Sequence, residues 1–225
     1  MKTIVAVLGC VLSVGATAGE YKASDGWKPL FNGKDLSEFV VEDGQATYEV
    51  KAGVITGRTA VPSPNTFLAT KAQYGDFELE FEVKVSDQLN SGVQIRSRSR
   101  TQDKGRFKTG SFYGPQVEIE ASPGQAGYIY GEATGRGWLS PEPKSEDPAV
   151  NQHNHFKNGE WNRYRIVAKG PRILTFINGE PVADLSDEAI YKTHPKGHIG
   201  LQVHSINKKL HPMSASWRNL YIREL

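Results

Sequence analysis

Cysteine is almost missing from this chain. Among 225 residues there is one, Cys10, and it lies inside an N-terminal stretch that reads as a leader. Lys2 supplies a positive start, Ile4 to Val14 an apolar core too short to span a bilayer, and Ala16-Thr17-Ala18 a small-residue cleavage site. Residues 1–18 are therefore expected to be a secretory signal peptide, and residues 19–225 a single domain. Leu8-Gly9-Cys10 has the outline of a lipoprotein box, but Cys10 would cut the apolar core in half, so lipidation is not expected. Removal of the leader also removes the only thiol. That excludes disulfide stapling and cysteine chemistry, and leaves stability to a packed core. A cysteine-free exported domain fits a bacterial periplasm or exterior.

Charge of one sign is also scarce. The formal net charge is +2, and no long run of lysine or arginine occurs. The densest basic stretch, Arg96 to Lys108, is interleaved with Ser, Gln and Gly and reads as a solvated loop rather than a nucleic-acid surface. Beyond the leader no apolar run is long enough for a membrane span. There is no internal repeat, no long amphipathic helix, and no GxGxxG, Walker, HExxH or GxSxG motif. Serine-nucleophile chemistry finds no support, and no calcium loop of EF-hand type is present. A divalent metal is left open: His153 and His155 have an H-x-H spacing, but a third ligand cannot be identified and no metal site is assigned.

What the chain does have is many short strand signals separated by turns. Phe77–Val85 alternates apolar and acidic residues over nine positions, the pattern of a half-buried antiparallel strand. Tyr164–Ala168 and Ile173–Ile177 repeat it more weakly. Asn178-Gly179 favours a type I′ hairpin turn into Pro181–Leu185. Ser214–Ile222 reads as a closing strand, and Asp187–Tyr191 as the one helical turn. This spacing predicts an all-β sandwich or jelly roll. Ala121 to Asn158 breaks the rhythm. It is rich in Gly, Pro, Ser and Asn yet carries Tyr128, Tyr130, Trp138, His153 and His155, and reads as a loop covering a polar face.

That polar face is the strongest functional signal. Three strand-like segments carry polar side chains two residues apart: Gln94 and Arg96, then Gln116, Glu118 and Glu120, then Gln202 and His204. Residues i, i+2 and i+4 of a strand share a face, and the intervening positions are apolar. Amide, guanidinium, carboxylate and imidazole groups together suit a hydroxyl-rich ligand. Tyr130 and Trp138 are the candidate sugar-stacking rings. Trp27, Phe31 and Trp217 read as core.

Seven segments occur in order: WKPLFNGKDLSEF from Trp27, NSGVQIRS from Asn90, GPQVEIE from Gly114, GEWNRYRIVAKG from Gly159, FINGEPVADL from Phe176, GHIGLQVHS from Gly197 and WRNLYIREL from Trp217. Together they resemble the 3-keto-disaccharide hydrolase family, over almost the whole chain after the leader. The resemblance implies a concanavalin A-like, laminarinase-like jelly-roll sandwich of two antiparallel sheets with a cleft on its concave sheet. It also implies a partner: a glycoside whose glucose unit already carries a ketone at C3. Such a ketone acidifies the hydrogen at C2, so a base can form an enolate that expels the oxygen at C1. Lyase release or, after water addition, net hydrolysis follows. On this reading Glu118 is the base, raised by its neighbour Glu120. Arg96 stabilises the enolate oxygen, His204 shuttles a proton or binds a metal, and Gln94, Gln116 and Gln202 read hydroxyls. Two alternatives stay open: a retaining glycosidase acting on unoxidised glucans, and a non-catalytic carbohydrate-binding module. The oligomeric state is not legible.

Overall fold

The computed structural model describes residues 23–143 and 153–225; the expected leader lies outside the described residues. In chain order the strands are β1 Lys28–Pro29, β2 Phe39–Asp43, β3 Thr47–Lys51, β4 Val54–Arg58, β5 Thr66–Thr70, β6 Phe77–Val85, β7 Ser91–Ser99 and β8 Phe112–Ile119. They continue as β9 Ile129–Glu132, β10 Gly137–Trp138, β11 Asn162–Lys169, β12 Arg172–Ile177, β13 Glu180–Ser186, β14 His198–Val203 and β15 Ser214–Glu224. An α-helix, α1 Glu188–Thr193, is capped by the Asp187 carboxylate, which accepts from the Ile190 amide.

The strands form two antiparallel sheets. One runs β13-β12-β11-β6-β15-β4-β3, with β1 beside β15; the other runs β10-β9-β8-β7-β14-β5-β2. Their facing surfaces make the core. Val93, Ile95, Val117, Ile119, Leu201 and Val203 of the second sheet are fully buried with Phe81, Val83, Ile166 and Trp217 of the first. Phe81 and Tyr164 stack at 5.3 Å between ring centres. The alternation of Phe77–Val85 is realised as β6, with all five of its apolar residues inward. Asn178 and Gly179 both adopt positive φ, at 53° and 92°, as a type I′ turn requires.

The acidic face of β6 departs from the expected half-solvated strand. Glu78 and Glu80 are buried, because β6 is central and arginines from its neighbours lie across it. Arg165 and Arg223 pair with Glu78, Arg163 with Glu80, and Arg218 with Glu82. Three of these guanidiniums also lie over rings: Arg165 over Phe176, Arg218 over Trp161 and Arg223 over Trp27. Burial acts to raise the Glu78 carboxyl, but its two guanidiniums outweigh that and hold it below the usual range. Trp27 therefore belongs to this outer ladder, whereas Phe31 and Trp217 are core as expected.

The segment from Ala121 to Asn158 is not simply a covering loop. It contains β9 and β10, which extend the second sheet by two strands. Its residues 144–152 lie outside the described residues.

Candidate active site

The outer face of the second sheet carries the site. Gln116 of β8 pairs across to Tyr130 of β9, and Tyr130 to Trp138 of β10. One row across three strands therefore presents an amide and two rings. Tyr130 and Trp138 meet edge to face at 5.3 Å. Two residues along β8 from Gln116 stands Glu118, and two residues along β9 from Tyr130 stands Glu132, in opposite directions: Glu132 pairs with Gly114, whereas the Glu118 amide bonds the Tyr128 carbonyl. The two carboxyls thus flank the row on opposite sides. His204, directly after β14, closes one side. Together with Asn90 and Gln125 these side chains line a cavity of about 310 Å³, which is the scale of a small-ligand pocket.

Glu118 is only 4% exposed. Gln116 Nε2 donates to one carboxyl oxygen at 2.8 Å and Asn90 Nδ2 to the other at 3.1 Å. No ion pair reaches it among the described residues. Burial pushes its pKa up to about 8; the two amides oppose this, and the Glu132 and Glu120 carboxylates add to it. Glu78 and Glu118 expose equally little surface but shift in opposite directions: two arginines pair with Glu78 near the face of its sheet, whereas Glu118 lies deeper with amides alone. Glu132 is also raised, chiefly by burial, against a hydrogen bond from Asn65 at 3.2 Å and the nearby His204. The His204 Nδ1 lies 2.6 Å from the Ser205 carbonyl oxygen, which can only accept. Nδ1 therefore carries the proton, and in the neutral ring Nε2 holds a lone pair.

The sequence profile of the 3-keto-alpha-glucoside-1,2-lyase-like domain matches residues 26–223. The chain belongs to this family. No curated protein sequence matches it significantly. Among solved structures it resembles a protein of Parabacteroides distasonis provisionally named a glycosyl hydrolase, with 20% identity, a TM-score of 0.59 and coverage of 90% of this chain and 95% of that one. A carbohydrate-binding module of Bacillus subtilis matches at 14% identity and TM-score 0.57, covering 88% and 96%. A β-1,3-1,4-glucanase from a mouse hindgut metagenome matches at 13% and 0.56, covering 88% and 97%. At such identities these structures establish the jelly-roll fold alone.

In this member of the lyase-like family, the cavity brings together five of the residues expected from sequence: Gln116, Glu118, Tyr130, Trp138 and His204. Glu120 stands just outside. Its carboxylate accepts from the Gln125 amide and, at 3.4 Å, from Asn90, so it braces the turn after β8. Gln94 and Gln202 lie on the same sheet but are wholly buried and do not line the cavity. The reason is local: a Cβ on Gly92 would sit 2.6 Å from Gln116 Cδ, and one on Gly200 2.6 Å from Phe112 Cε1. The Gln116 and Phe112 side chains therefore lie across the two glycines and roof the inner strands.

Arg96 is the clear correction. Strict alternation would place it beside Gln94, but β7 bulges between Gln94 and Arg98, and Arg96 itself adopts φ +50°. Its guanidinium donates to the Gly75 and Gly170 carbonyls, each at 2.7 Å, and to the Asp76 carboxylate at 2.9 Å, with the Tyr191 ring 5.2 Å away. It clamps turns of the other sheet and cannot reach an enolate in the cavity. The H-x-H pair is likewise engaged elsewhere: His153 Nε2 donates to the Ala126 carbonyl, and its Nδ1 accepts from the His155 amide.

The sequence reading missed Asn90, Gln125 and Glu132. Glu132 has a signal: it follows Tyr130 at i+2, but only once Ile129–Glu132 is recognised as a strand. One consequence is testable. Gly92→Ala pushes Gln116 aside, and that amide is what holds Glu118 down. The Glu118 carboxyl should then titrate at higher pH, as followed by NMR, and an unchanged titration would detach Gln116 from it.

Proposed function

We propose that this protein cleaves the glycosidic bond of 3-keto-glucosides by elimination, with Glu118 as the acid. The observation that carries this reading is a glutamic acid buried in the wall of the cavity with no cation paired to it, where burial pushes its pKa up to about 8. This reverses the role expected from sequence. A carboxyl with a pKa near 8 holds its proton at pH 7 and is suited to giving one to a departing oxygen.

The base is then the carboxyl on the opposite side of the row. Glu132, with the His204 ring lining the same cavity, removes the proton at C2. The C–H electrons form the enolate with the C3 carbonyl. Its collapse makes the C1–C2 double bond and breaks C1–O, and the departing oxygen takes the Glu118 proton. Each carboxyl ends with the other's starting protonation state, and water addition to the enone completes a net hydrolysis. Tyr130 and Trp138 offer faces to the sugar's C–H surfaces. The family supplies the substrate class. The expected leader supports export to the periplasm or beyond.

A paired assay tests the reading. The mature protein is given a chromogenic 3-keto-glucoside and, separately, its unoxidised parent. Release from the keto substrate alone is expected. Release from both would make it a conventional glycosidase, and binding without release would make it a carbohydrate-binding module.

A further inference from the structure

A second cavity, of about 420 Å³, lies at the end of the sandwich between the β9–β10 turn and α1. It is larger than the cavity around Glu118 and shares no residue with it. Arg100, Lys104, Arg136, Tyr113, Ile190 and His194 are among its walls. The balance of charge there is positive. Arg136 is paired with Asp187 at 2.8 Å, but neither Arg100 nor Lys104 has a carboxylate partner among the described residues.

Two nitrogens make this more than a basic patch. His194, the C-cap of α1, is 4% exposed. Its Nδ1 lies 2.9 Å from the Thr193 hydroxyl, and its Nε2 has no partner. Arg100 is 9% exposed, and its Nε likewise has none. Buried polar groups are rarely left this way, and each such group asks what satisfies it. The groups around them are held in place. The Arg100 guanidinium lies over the Tyr113 ring at 4.1 Å and donates to the Ala133 carbonyl, while Tyr113 meets His194 edge to face at 5.1 Å. Burial, and then Arg98 and Arg100, lower the His194 imidazole to about 4, in keeping with a positive surrounding.

We propose that this cavity binds the oxyanion group of a small organic ligand, a carboxylate, sulfate or phosphate ester, between Arg100, Lys104 and His194. The Arg100 guanidinium and the Lys104 ammonium line the cavity as charge-assisted donors for an oxyanion, and the unpartnered Arg100 and His194 nitrogens lie buried in its walls. In either tautomer Nε2 serves: as N–H it donates, and as a lone pair it takes up a proton alongside the anion. Ile190 and Tyr113 provide an apolar wall for the body that carries the charge.

The test is titration of the full mature protein with glucuronate, inorganic phosphate and sulfate, followed by NMR of the backbone amides that line the cavity, a readout every variant keeps. The expected result is a saturable shift with at least one probe, weakened tenfold or more in His194→Phe and in Lys104→Glu. Preference for glucuronate identifies a carboxylate ligand, and preference for phosphate or sulfate a tetrahedral one. Lys104 is exposed, so its variant tests the proposal even if His194→Phe does not fold. No saturable shift with any probe, or equal affinity in Lys104→Glu, would overturn it.

Discussion

Glu118→Gln should reduce turnover of a 3-keto-glucoside by about 10²–10⁴-fold, the range for loss of a positioned general acid, while substrate binding changes little. The amide keeps the shape: its oxygen accepts from one of the two neighbouring amides, and its NH2 is met once the other, Gln116 or Asn90, turns its own oxygen toward it. In the unmodified protein kcat/KM should fall as pH rises through about 8, because the acid is then ionised. That limb should vanish from the residual activity of the variant.

The same substitution has a stability signature whose sign is fixed by linkage. The folded-state pKa of Glu118 lies above its unfolded value, so between about 4.5 and about 8 the folded protein holds a proton that the unfolded chain has released. Stability must then fall as pH rises across that window, by about 1.4 kcal/mol for each pH unit in which only the folded form is protonated. Glu118→Gln has no such proton to lose. It should melt above the unmodified protein at pH 8 and close to it at pH 4.5, as measured by thermal unfolding at the two pH values. A glutamate that weakens the fold at working pH is hard to explain as a structural feature.

Arg96→Met should do the opposite. It removes three donors from a group that is 2% exposed and leaves Asp76 and two carbonyls without them. Asp76 is one-third exposed and keeps the Gly170 amide as a donor, so the cost falls mainly on the two carbonyls left without a donor, and chemical denaturation should show a loss of about 1–3 kcal/mol. The fraction that remains folded should retain kcat. A variant of undiminished stability whose kcat collapses would return Arg96 to the chemistry.

These two residues show how far the sequence could be read. The strands, the I′ turn at Asn178-Gly179 and the polar face through Gln116 and Glu118 follow from alternation and turn chemistry, which are local. Arg96 fails because one bulge shifts the parity of everything after it on that strand, and a non-glycine residue at positive φ leaves no mark in the sequence. Gln94 and Gln202 obey the alternation but are roofed by side chains from neighbouring strands, which depends on pairing across Gly92 and Gly200. Glu132 was hidden because its strand is four residues long within a Gly- and Pro-rich segment. The pKa of Glu118 was expected to rise through Glu120, whereas the larger cause is burial, a property of the packed sheet and its rim.

The central claim is that the bond breaks by elimination through C2, and an isotope at that carbon tests it most directly. A 3-keto-glucoside deuterated at C2 is cleaved, quenched early, and the sugar product analysed by mass spectrometry. The account predicts that the deuterium is lost from the sugar as the aglycone is released, and that substrate incubated without the protein loses it more slowly. A released sugar that keeps its deuterium would contradict the account and place the attack at C1.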